Sequence, residues 1–69
     1  MDLPDSELAL MDLLWVKAPR TSEEMISQLG DARGWQPSTV KTLLARLVRR
    51  GAVRAEKDAR RFQYWPLVQ

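Results

Sequence analysis

The chain contains no cysteine and no histidine. Those two gaps together remove disulfides, thiolate and imidazole metal ligation, cysteine and histidine nucleophiles, and histidine acid/base chemistry. Only a carboxylate site stays open to catalysis, and its candidates Glu23, Glu24 and Asp31 are scattered along an acidic stretch rather than gathered. Long apolar runs are missing too. The run near Leu8 to Val16 is short and broken by Asp12, which excludes a membrane span, and the acidic N-terminus lacks the cationic start of a signal peptide. The expected location is the cytoplasm, with no cofactor, no metal ion and no enzymatic activity. There is no low-complexity tract and no internal repeat. Sixty-nine residues make one domain at most, and so short a chain buries only about 60% of its unfolded surface.

Charge is present in both signs but unevenly placed. Residues 1–34 hold three cations against seven carboxylates, a net −4, whereas residues 35–69 hold eight against two, a net +6. A polyanion is attracted by the second half and repelled by the first, which orients it as well as binding it. Well-solvated faces on a small domain are the plain alternative.

Hydrophobic periodicity divides the first half into two helices. From Asp5 to Lys17, Leu8, Met11, Leu14 and Trp15 recur at helical spacing, with Leu10 and Leu13 widening the stripe. Asp5 or Ser6 is the expected cap, Pro19 the terminator and Trp15 a core residue. Thr21, Ser22, Glu23, Glu24 fits a capping box, so a second helix starts there with Met25, Ile26 and Leu29 inward. It stops at Gly30 or runs on to Gly34.

The second half changes period. A third helix is expected from Pro37, at the position where a missing amide hydrogen costs nothing, to Arg50 before Gly51. Val40, Leu43, Leu44, Leu47 and Val48 fall on one side, and Ser38, Lys41, Thr42, Ala45, Arg46 and Arg49 on the other. After Gly51 the alternation is twofold: Val53, Ala55 and Lys57, then Phe62 and Tyr64 as core-facing residues, with a turn at Asp58 and Ala59, either alone or with Arg60. A short strand near Pro19 to Thr21 is a candidate partner for this hairpin. Three helices followed by a β-hairpin give an α+β fold, a winged helix-turn-helix whose hairpin is the wing.

In a helix-turn-helix the second helix of the pair enters the major groove of double-stranded DNA, with its N-terminal residues at base edges. Here that places Ser38, Thr39, Lys41, Thr42 and Arg46 near bases, where hydroxyls, threonine methyls and cations can each contact base edges. Arg49, Arg50, Lys57, Arg60 and Arg61 are the candidate phosphate contacts. Bland readings stand beside each: first-turn capping for Ser38 and Thr39, and helix-dipole compensation for Arg49 and Arg50. Arg46 has no acid four residues away to pair with, which favours a DNA role. Arg54, within reach of Glu56 or Glu24, reads as structural. Trp35 and Trp65 beside cations suggest base stacking, but Trp35 sits where a hydrophobic residue staples the entry to the third helix, and Phe62 and Tyr64 alternate as in a core-facing strand. A second function, docking of an acidic protein through the same basic face, fits less well, because such modules expose an apolar patch on the third helix.

Trp15 closing an apolar first helix, then WQPSTVKTLLARLVRRG, then KDARRFQYWPLV, resembles the N-terminal domain of the penicillinase repressor family, BlaI/MecI/CopY. The resemblance spans essentially the whole chain. It implies operator binding as a homodimer, transcriptional repression, and reading of inverted repeats of the TACA/TGTA type, with Thr39, Lys41, Thr42 and Arg46 at recognition positions. Two departures stand out. Gln36 occupies the cap position where the family has serine, and the family's C-terminal dimerisation segment is not found within residues 1–69.

Overall fold

A computed structural model of the chain describes residues 3–68; Met1, Asp2 and Gln69, part of the expected 1–69 domain, lie outside the described residues. The elements run α1 (Asp5–Val16), β1 (Arg20–Thr21), α2 (Ser22–Arg33), α3 (Pro37–Arg49), β2 (Val53–Asp58) and β3 (Arg61–Pro66). The α+β winged-helix expectation holds. Three helices pack together, and an antiparallel sheet of order β1-β3-β2 closes one side.

α1 differs from its expected rotation. Its N-cap is Pro4, with no side-chain cap, so Asp5 is already helical and neither Asp5 nor Ser6 caps it. The fully buried stripe is Glu7, Leu10, Met11 and Leu14, while Leu8 is half-buried and Trp15 is 37% exposed. Apolar residues surround most of this helix, so periodicity alone leaves its rotation open by one position. Trp15 is therefore not a core residue: its indole Nε1 donates to the Val68 carbonyl at 2.7 Å. The helix ends at Lys17, which is extended, two residues before Pro19.

α2 opens on the expected capping box. The Glu24 amide donates to Thr21 Oγ1 at 3.2 Å, and the Thr21 amide donates to Glu24 Oε1 at 3.3 Å. Gly30 does not stop it. The helix continues to Arg33 and is closed by Gly34 in the left-handed conformation, φ 69°, whose amide donates to the Gly30 carbonyl at 2.9 Å. α3 starts with Pro37 after Gln36, which makes no side-chain cap, and ends one residue short of the expected Arg50.

α3 supplies most of the core. Val40, Leu43, Leu44 and Leu47 meet Leu10, Met11 and Leu14 of α1, Met25 and Leu29 of α2, and Val53 of β2. Val48, expected inward, is 39% exposed at the edge of this face. The chain then turns through Gly51, φ 77°, and Ala52 donates its amide to the Leu47 carbonyl at 3.0 Å, which seats β2 beside α3.

The two-residue strand β1 pairs with β3 through Arg20↔Tyr64 and Thr21↔Gln63. Arg20 is buried, and its guanidinium donates to the Leu13 carbonyl at 2.8 Å and to Gln28 Oε1 at 3.4 Å. One side chain thus ties α1, β1 and α2 together. The hairpin loop is Ala59 and Arg60, since Asp58 pairs with Arg61. Ala59 has φ 58°, a left-handed conformation that costs a non-glycine residue about 1–2 kcal/mol.

Candidate nucleic-acid interface

α2, the turn 34–36 and α3 form the helix-turn-helix. Its turn is set by Gly34 and by Trp35, which packs against the core with the Arg33 guanidinium 5.4 Å from its ring centroid. This leaves the outer face of α3 free and wholly uncharged or cationic, because Pro37–Arg49 contains no carboxylate. Ser38, Thr39, Lys41, Thr42, Arg46 and Arg49 are all exposed on it.

The expected base-proximal residues fall into two groups. Ser38, Thr39, Thr42 and Arg46 line one shallow depression on α3 of about 260 Å³. Lys41 stands on the other flank, lining a groove between α3 and the wing. At about 100° per residue, that separation follows from helix geometry.

The expected phosphate contacts also divide. Residues paired across β2 and β3 share a face of the sheet. Lys57↔Phe62 and Ala55↔Tyr64 occupy one face; Arg54↔Trp65, Glu56↔Gln63 and Asp58↔Arg61 occupy the other. The α3 groove is lined from the first face, by Ala55, Phe62 and Tyr64, so both acids of the wing lie on the second. Lys57 is exposed on the face away from those acids, the turn residue Arg60 is exposed beside a depression that Asp58 and Glu24 also line, and Arg61 is set directly opposite Asp58.

Arg50 differs from the other candidate phosphate contacts in having a partner inside the domain. Its Nε lies 3.4 Å from Oε1 of Glu7, whose side chain is 1% exposed, while the Arg50 side chain is 45% exposed, so an ion pair with the interior stands beside the phosphate role expected for it. Neither Glu7 oxygen accepts a hydrogen bond among the described residues, which leaves Arg50 as the charge that offsets a buried carboxylate. Arg54 is structural as expected. It pairs with Glu56 at 2.8 Å and lies 4.7 Å from the centroid of the Trp65 ring, covering the surface a base would stack on.

Phe62 is a correction: it is 48% exposed rather than core-facing, since the wing projects beyond the helices that would cover it. Tyr64, closer to the core, is half-buried, and desolvation pushes its phenol above the ordinary 10.0. Sequence reasoning missed Arg20, Glu7 and Phe62. The carboxylates considered for catalysis do not converge: Glu24 serves the α2 cap, while Glu23 and Asp31 are exposed.

The sequence family described as penicillinase repressor matches residues 3–69. The chain belongs to the penicillinase repressor family. Among curated members, the penicillinase repressor of Bacillus licheniformis is 34% identical over 66 residues, covering 96% of this chain and 52% of its own. The methicillin resistance regulatory protein MecI of Mammaliicoccus sciuri is 31% identical over 68 residues, covering 99% and 55%. An uncharacterised 16.5 kDa protein from the ptsI 3′ region of Latilactobacillus sakei is 40% identical over 67 residues, covering 97% and 46%. The chain thus spans about half the length of the curated relatives it matches. Two solved structures share the fold at 32% identity. The DNA-binding domain of the repressor BlaI superposes with a TM-score of 0.92, covering 99% of this chain and 83% of that one. Monomeric Bacillus licheniformis BlaI in complex with the blaP half-operator superposes at 0.87, covering 100% and 84%. No described helix of this penicillinase repressor family member is long and apolar enough to cross a membrane.

Proposed function

We propose that this chain is the operator-binding module of a transcriptional repressor. α3 enters the major groove, Ser38, Thr39, Thr42 and Arg46 meet base edges, and Arg49, Lys57, Arg60 and Arg61 hold phosphates. The observation that carries the reading is the carboxylate-free outer face of α3, on a fold whose BlaI counterpart was solved bound to a half-operator. In this reading residues 1–69 act as one cytoplasmic domain, and homodimerisation on an inverted repeat belongs to the whole repressor. One module covers only about 600–1,000 Å² of DNA, so the isolated chain binds weakly.

The test is a titration of labelled duplexes, one with a TACA/TGTA inverted repeat and one scrambled, at several salt concentrations. The expected result is preference for the repeat and an affinity that falls steeply with salt. Equal, salt-insensitive affinities would reject the proposal. Arg46→Ala is expected to reduce the preference about tenfold, because a cation at a base edge discriminates between bases. Arg60→Ala, by contrast, weakens both duplexes alike and shallows the salt slope by about one, as loss of a single phosphate contact requires. A change of sequence preference in Arg60→Ala would assign it a different role.

A further inference from the structure

The groove between α3 and the wing has no place in the contacts described so far. Its floor is apolar: Leu44, Ala45 and Val48 of α3 meet Ala55, Phe62 and Tyr64 of the wing around a volume of about 530 Å³. Exposing 48% of Phe62 and 39% of Val48 is costly for so small a domain. Its rim is cationic. Lys41 lines the α3 side, Lys57 stands opposite Phe62 on the same face of the wing, and no carboxylate lines the groove.

An uncharged floor between lysines is complementary to a chain in which anionic groups alternate with uncharged ones. A nucleic-acid strand is such a chain, with phosphates joined by deoxyriboses whose faces are largely apolar. The groove is also continuous with the base-reading face, because Lys41 and Thr42 are successive residues on neighbouring flanks of α3. A helix in the major groove places its flanks beside the strands that border that groove.

We propose that this groove seats the bordering strand of the operator duplex, with Phe62 packed on deoxyribose faces and Lys41 and Lys57 on adjoining phosphates. The assignment rests on the operator-binding reading and adds to it a nonionic contact that carries no sequence preference. It also moves Lys41 from base reading to strand holding.

The experiment compares wild type, Phe62→Ala, Phe62→Leu and Lys41→Ala on the repeat and scrambled duplexes across a salt series. Phe62→Ala is expected to bind both duplexes about tenfold more weakly with an unchanged salt slope, since it loses apolar contact and no ion pair. Phe62→Leu, which keeps apolar bulk, recovers most of that affinity. Lys41→Ala shallows the slope by about one and keeps the wild-type preference. In the wild-type complex, nuclear Overhauser contacts between the Phe62 ring and deoxyribose protons provide a readout that needs no variant. Wild-type affinity in Phe62→Ala, or a ring without deoxyribose contacts, overturns the groove assignment while leaving operator binding intact. Competition for the groove by an acidic amphipathic peptide that duplex does not displace overturns it in favour of a protein partner. A wild-type chain that binds neither duplex rejects the underlying reading instead.

Discussion

Leu47→Ala is expected to lower the unfolding free energy by about 3–4 kcal/mol and to leave the domain largely unfolded at 37 °C. Leu47 is fully buried where α3 crosses the rest of the core, and its carbonyl accepts the Ala52 amide that turns the chain into β2. Removing its isobutyl group forfeits the transfer energy of the side chain and leaves a cavity that the helices on either side cannot collapse into. A chain of this length rarely holds more than about 3–5 kcal/mol in reserve. Thermal and urea denaturation followed by circular dichroism measure the loss. Val48→Ala is the control, since Val48 is one residue on but 39% exposed, and its melting temperature should move little. A Leu47→Ala protein that melted within a few degrees of wild type would show that α3 is not the centre of the core.

Arg50→Ala is expected to cost about 2–3 kcal/mol, somewhat less than the loss of a fully buried ion-pair partner because the Arg50 side chain is 45% exposed. The damage arises at Glu7, whose carboxylate stays in the interior without an opposing charge. The double variant Glu7→Leu/Arg50→Ala should therefore recover most of the stability, since a leucine at that buried position needs no partner. The same pair of proteins separates the two roles considered for Arg50. If it holds the interior together, the double variant binds DNA with the wild-type salt slope; if it holds a phosphate, the slope stays shallower by about one whatever stands at Glu7. A double variant as unstable as Arg50→Ala would remove the Glu7 pairing from the account.

These residues also mark where the sequence was legible. The Thr21–Glu24 box, the strongly amphipathic α3 and the twofold alternation after Gly51 each follow from rules that act within one turn or one strand pair, and each was readable. Glu7 was not, because a glutamate in a first helical turn satisfies the helix dipole and gives no sign of burial. Its burial depends on the rotation of α1, which nearly all-round apolarity left open. The short strand beside the hairpin was expected and is present as β1, but the burial of Arg20 depends on contacts with α1 and α2 that no local pattern encodes. Phe62 was misplaced for a related reason: alternation assigns a residue to a face of the strand, but not whether anything covers that face so far along the wing. Of the expected DNA contacts, the sequence indicated which side of α3 they share, and the fold separated Lys41 from the other four.

The central place of β3 in the sheet has a consequence for how fast and how favourably the domain docks. A hairpin joined to its domain at one end only would sample many orientations, and each encounter with a ligand would have to freeze them. Here β3 is flanked by β2 and β1, and β1 runs directly into the capped start of α2. The base of the wing, at Gln63 and Tyr64, is therefore tied to the helix-turn-helix before any encounter. Association then has less of the backbone to immobilise than a hairpin tethered at one end would require, so less conformational entropy is lost on contact.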